Sequence, residues 1–107
     1  MAKQLLVVMT NAADGRDDEF NDWYDRIHLK EVLQLDGVHA AQRFALSRGT
    51  DEPGHRYLTL YEVEADDLQE IMDRLGQATA DGRVQMSDAL DAPMVWFANA
   101  LGDRVTE

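Results

Sequence analysis

The chain opens on residues 3–10, KQLLVVMT, with apolar side chains at both sets of alternating positions: Leu5, Val7 and Met9 against Leu6 and Val8. A strand that is apolar on both faces is covered on both faces. An Asp14–Gly15 turn follows, and then acidic residues that suit the first turn of a helix. Phe20, Trp23, Tyr24, Ile27, Val32 and Leu35 recur at helical spacing, which predicts a helix over 17–35, ended by Asp36–Gly37. Residues 38–45 then alternate as a strand. Val38, Ala40, Gln42 and Phe44 share one predicted face, and His39, Ala41, Arg43 and Ala45 the other.

After a Gly- and Pro-containing loop, residues 56–64 (RYLTLYEVE) give the clearest alternation, with Tyr57, Thr59, Tyr61 and Val63 on one side. Asp66 opens a second predicted helix, with Gln69 placed for a capping box. Leu68, Ile71, Met72 and Leu75 form its core stripe. Residues 76–93 read as a polar loop with at most one helical turn, and 94–101 as a last strand apolar on both faces. The order β-α-β-β-α-β predicts a single α+β domain over residues 1–107. It is ferredoxin-like, a four-stranded antiparallel sheet with two helices on one face. The helices cover one side only. A second copy packed sheet to sheet is the simplest cover for the other, so a homodimer is expected.

Composition narrows the function classes. Ten basic and 21 acidic residues leave a net charge of −11, which repels phosphate backbones and anionic lipid headgroups. Neither nucleic acid nor a membrane surface is an expected partner. The chain has no cysteine, which removes disulfides, thiolate catalysis and thiolate-bound zinc. The N-terminal apolar run is short for a signal segment, and no stretch reaches the length of a membrane span, so a cytoplasmic protein is expected.

In that frame the first helix is recognisable. Glu19, Phe20, Trp23, Tyr24 and His28, followed by Gly37, Val38, Arg43 and Phe44, resemble the phrase carried by the dimeric α+β barrel superfamily, and within it the EthD-like and related uncharacterised proteins. The match covers roughly the first half of the chain. Lys30 stands where such relatives often carry proline, so a straighter helix is expected here. The resemblance implies a dimeric fold with a cavity, and leaves the reaction open. The superfamily includes lactone isomerases, cofactor-independent monooxygenases, polyketide cyclases, haem-binding enzymes, and proteins without demonstrated activity.

His28 is the leading chemical candidate, since imidazole exchanges protons near neutral pH. Tyr24 lies four residues before it and Glu31 three after, on one helical face. Tyr24 would orient a substrate oxygen, and Glu31 would fix the imidazole tautomer or raise its pKa. The competing reading is a packed histidine with a backbone partner. Arg43 would hold a substrate carboxylate or carbonyl, or else pair with an acid of the protein. Trp23, Tyr57, Tyr61 and Trp96 would line an aromatic cavity suited to a small apolar or aromatic molecule, or be ordinary packing. The histidines include no HExxH and no pair at i, i+4, so no metal site is expected. A haem would need a larger pocket than so short a chain usually builds. Ser47 and Ser87 have no triad context, and the glycines form no phosphate cradle.

The expectation is therefore a cofactor-independent acid–base enzyme of isomerase, cyclase or lyase type, acting on an aromatic, lactone or polyketide-like compound. The alternatives are a cofactor-free monooxygenase and a non-catalytic, stress-related or ligand-binding dimer.

Overall fold

The computed structural model describes residues 3–47 and 54–107. The strands are β1 (Gln4–Ala12), β2 (Val38–Ala45), β3 (Tyr57–Val63) and β4 (Leu90–Asn99). They form one antiparallel sheet in the order β2-β3-β1-β4. The first helix is built from α1 (Asp17–Trp23), a π-helical turn (Tyr24–His28) and α2 (Leu29–Val32). These run on without a break, because Tyr24 and Leu29 keep right-handed helical dihedrals. The second helix is α3 (Gln69–Ala80). This is the expected ferredoxin-like α+β architecture.

The helices and one sheet face enclose the core. Leu6, Val38, Tyr61 and Val63 meet Val32, Leu35, Ile71 and Ala78 in its main part. Leu68, Met72 and Leu75 pack against them, so the α3 stripe is core as its spacing predicts. A second cluster gathers Ala12, Phe20, Trp23, Tyr24 and Ala89 at the other end. The opposite sheet face carries Leu5, Val7, Met9, Leu58 and Leu60, with Met94 and Trp96 largely exposed among them.

The first helix ends at Val32, short of the expected 35, and the turn that follows it closes at Gly37 for a steric reason. Its φ of +88° is left-handed, and a Cβ there would stand 2.6 Å from the Glu64 carbonyl oxygen. The Glu64 amide also donates to the Gly37 carbonyl at 2.8 Å. The turn is thereby clamped to the end of β3, which sets where β2 begins.

Several sequence expectations are corrected. A β-bulge between Val38 and Ala40 breaks the alternation of β2. Val38 pairs with Val63, while Ala41 and Arg43 pair with Tyr61 and Thr59. Val38 thus shares the helix-facing side with Arg43 and not with Gln42 and Phe44. The first helix is not a plain α-helix, since a π turn occupies its centre. In α3 the Asp66–Gln69 capping box does not form. Asp67 Oδ1 accepts the Gln69 amide at 2.9 Å instead. Helix α3 runs to Ala80 and β4 begins at Leu90, so the predicted 76–93 loop is shorter at both ends. Part of the loop read after Ser47 lies outside the described residues. No helix among the described residues is long and apolar enough to cross a membrane.

Candidate functional site

The π turn places His28. A π turn inserts one residue into a helix and rotates the side chains that follow, and such turns are frequent at functional sites. Here Tyr24 and His28 are both buried, at 2% and 7% exposure. The imidazole stacks on Trp23 with ring centroids 4.5 Å apart and meets the Tyr24 ring edge-on at 4.9 Å. His28 Nδ1 is buried with no hydrogen-bond partner among the described residues. Burial lowers its pKa from 6.5 to about 4; Glu31 opposes the shift and Arg43 adds to it. The imidazole is therefore neutral at physiological pH.

Glu31 does not touch the imidazole. Its Oε1 accepts the backbone amide of Gln85 at 2.8 Å and its Oε2 the Gln85 side-chain amide at 3.4 Å. The Gln85 carbonyl in turn accepts Trp23 Nε1–H at 3.2 Å. Glu31 thus reaches His28 only through its charge and through the chain Gln85–Trp23.

On the sheet side, the phenols of Tyr24 and Tyr61 share a hydrogen bond of 3.1 Å. Burial pushes the Tyr61 pKa well above the usual phenol value, so its hydroxyl stays protonated. Tyr24→Phe removes one hydroxyl and leaves the other buried alone. A loss of about 1–2 kcal/mol in urea unfolding is expected; an unchanged midpoint would mean that the bond contributes nothing.

The bulge aims Arg43 into this cluster. Its guanidinium lies 4.4 Å from the Tyr24 ring centroid, a cation–π contact. Nη1 donates to Asp25 Oδ1 at 2.9 Å and Nη2 to Asn21 Oδ1 at 2.7 Å. The pairing with an acid of the same chain is therefore present, yet the buried Nε has no partner among the described residues. Tyr57 stands at the rim, donating to Asp17 Oδ2 at 2.5 Å.

Seven of the eight sequence candidates thus fall in one region: Trp23, Tyr24, His28, Glu31, Arg43, Tyr57 and Tyr61. Trp96 does not. It pairs with Val7, so its ring is on the open sheet face. Asn21, Asp25 and Gln85 escaped the sequence reading. Asn21 and Asp25 lie at i, i+4 on the first helix, a spacing that could have marked them as partners for one cation. Nothing local marks Gln85.

The described hollows lie elsewhere. A groove of about 840 Å³ opens at the sheet end where β1 begins, beside Asp36, His39, Glu64 and Arg74. A smaller one of about 240 Å³ lies on the open face by Leu5, Gln42 and Leu60. Neither reaches His28, whose surroundings are filled by aromatic rings. His39 and His55 are apart from the site: His39 lies 3.6 Å from Glu64, and His55 Nε2 contacts the Ala92 carbonyl at 2.9 Å. Among the described residues no cluster of His, Asp or Glu could hold a metal ion.

No protein-family model and no curated protein matches this sequence. Solved structures do. A proposed monooxygenase of Shewanella loihica PV-4 shares 12% identity at a TM-score of 0.62, covering 100% of this chain and 98% of its own. An EthD family protein of Bacillus halodurans C-125 shares 11% identity at 0.57, covering 98% of this chain and 100% of its own. A protein of unknown function from Nitrosomonas europaea shares 17% at 0.56, covering 100% and 97%. The likeness to EthD-like proteins read from the first helix is thus present as a likeness of fold.

Proposed function

We propose that this chain is a cofactor-independent proton-transfer enzyme of isomerase, cyclase or lyase type, with His28 as general base. The observation that carries the reading is the unpartnered, buried Nδ1 of His28. Buried polar atoms are nearly always satisfied, and an exception calls for an explanation. A neutral imidazole with an unused ring nitrogen is free to accept a hydrogen bond, and a proton once the developing charge of a bound ligand raises its basicity. Arg43, with its own unpartnered Nε, supplies positive charge in the same cluster for an oxyanion that develops as the proton leaves. Tyr24 and Tyr61 offer hydroxyl groups beside it. The surrounding rings would suit a small aromatic, lactone or polyketide-like compound once the packing beside them opens.

The test is hydrogen–deuterium exchange at acidic C–H positions of such compounds, followed by proton NMR in deuterated buffer. Exchange that depends on the protein and disappears in His28→Gln supports the reading. Exchange that persists in the variant removes His28 as the base.

Two other readings each have a specific support. The rings packed against His28 favour a non-catalytic, ligand-binding protein, which would bind such compounds without exchange. The fold shared with the Shewanella loihica protein favours a cofactor-free monooxygenase, which would consume oxygen with its substrate.

The assembly reading is a homodimer through the open sheet face, supported by the apolar row of Leu5, Val7, Met9, Leu60 and Trp96. An exposed patch of this kind marks an interaction surface. Sedimentation equilibrium is expected to return the mass of two chains, and Trp96→Glu that of one. A monomeric parent protein would end this reading.

A further inference from the structure

We infer that residues 85–88, within the connection from α3 to β4 (residues 81–89), form a lid over the Trp23–His28 pair, and that Glu31 is its latch. The inference rests on His28 being a ligand-facing group. It concerns how a ligand reaches that group.

The imidazole is sealed in the closed structure: His28 and Trp23 are each only 7% exposed. One flank is the stacked indole and another the Tyr24 ring, both side chains of the first helix. The connection is bonded to the indole of this pair, through the Gln85 carbonyl on Trp23 Nε1–H. It has no regular secondary structure over 83–87. Its middle is held to the first helix by the two hydrogen bonds from Gln85 to the Glu31 carboxylate. Gln85 and Met86 are themselves exposed, so releasing them uncovers little core.

The ends are anchored differently. Val84 is buried in the main core and its amide donates to the Ala78 carbonyl at 3.1 Å. Ala89 is wholly buried, and its carbonyl accepts the Ala13 amide at 2.6 Å. Arg16 reaches Asp88 at 2.7 Å near that end. Gly82, with a φ of +86°, turns the chain out of α3. A segment fixed at both ends and tied between them by one carboxylate and one indole N–H is the geometry of a short lid. Such segments open locally at far lower cost than the fold itself.

The experiment reads access to His28 and needs no substrate. Diethyl pyrocarbonate modifies unprotonated imidazole, and peptide mass spectrometry separates His28 from His39 and His55. Glu31→Ala is expected to raise the His28 labelling rate about tenfold, the effect of losing hydrogen bonds to a charged acceptor. Glu31→Gln, which keeps one acceptor oxygen for the Gln85 amide, should give a smaller rise. Amide exchange at Ile71, in the main core, should stay unchanged in both.

Asp88→Ala touches only an exposed end tie and leaves the first helix intact. It should raise labelling about twofold, in keeping with a surface ion pair. Unchanged His28 labelling in Glu31→Ala, or a rise matched by faster exchange at Ile71, would overturn the lid. A lid that opens as described in a protein without proton-transfer activity would end the proposed reaction and leave the lid standing.

Discussion

Replacing His28 with glutamine is expected to lower turnover of a true substrate by about 10²–10⁴-fold, the usual contribution of a positioned acid–base group. The same variant should also remove an acid-sensitive part of the folding stability. In the folded chain the His28 pKa lies at about 4, and in the unfolded chain near its ordinary 6.5. Above that ordinary value both states hold a neutral imidazole, and the group adds no pH dependence. Between the two values the unfolded chain binds a proton that the native chain refuses. Stability therefore falls as the pH falls through this window, and the loss is complete below the folded value. The full effect is about 3 kcal/mol.

Many carboxylates titrate over part of the same range, so the quantity to follow is a difference. Urea unfolding of the parent and of His28→Gln, measured at a series of pH values, cancels the shared groups. The parent should lose about 3 kcal/mol relative to the variant as the pH drops across the window. A flat difference would mean that the imidazole is solvated in the native protein, and the account of a buried, neutral base would fall with it.

Phe20→Ala is expected to cost about 3–5 kcal/mol, the range for emptying a buried aromatic position. Phe20 is wholly buried. Its ring packs against Trp23, Tyr24 and Tyr57, with centroids 6.1, 5.5 and 5.2 Å away. It also lies 5.5 Å from the Arg43 guanidinium carbon. The rings around it are held by helix and sheet at once, so the space cannot close by a simple shift. Against a typical total of about 5–15 kcal/mol, the variant would be marginal at 25 °C. A measured loss under about 1 kcal/mol would show that the cluster collapses into the void, and would contradict the close packing described for it.

The order of elements was legible because each helix and strand announces itself through its own period. The stripe of α3 and the alternation of Tyr57, Thr59, Tyr61 and Val63 needed no knowledge of neighbours. The company of His28 was legible too, since Trp23, Tyr24, His28 and Glu31 share one short helix. What failed was parity. Trp96 lies on a strand apolar on both sides, so its pattern does not say which side is inward. That is decided by pairing with β1 beyond a register shift between Met9 and Asn11. The bulge in β2 and the π turn are each one-residue insertions, which leave hydrophobic content unchanged and are invisible to a periodic template. Glu31 was placed correctly on the helix, and it acts on the imidazole through its charge, not through a hydrogen bond. Its real partner, Gln85, is distant in sequence.

The bulge also governs how far any assignment made on one relative can be carried to another. Arg43 faces the helices because an extra residue sits between Val38 and Ala40. A homologue with one residue fewer there would present an arginine aligned to this position on the opposite side of its sheet. At identities near 12%, such a difference hides easily in an alignment gap. The extra residue at the start of β2 is therefore a better guide to which way such an arginine points than the presence of the arginine itself.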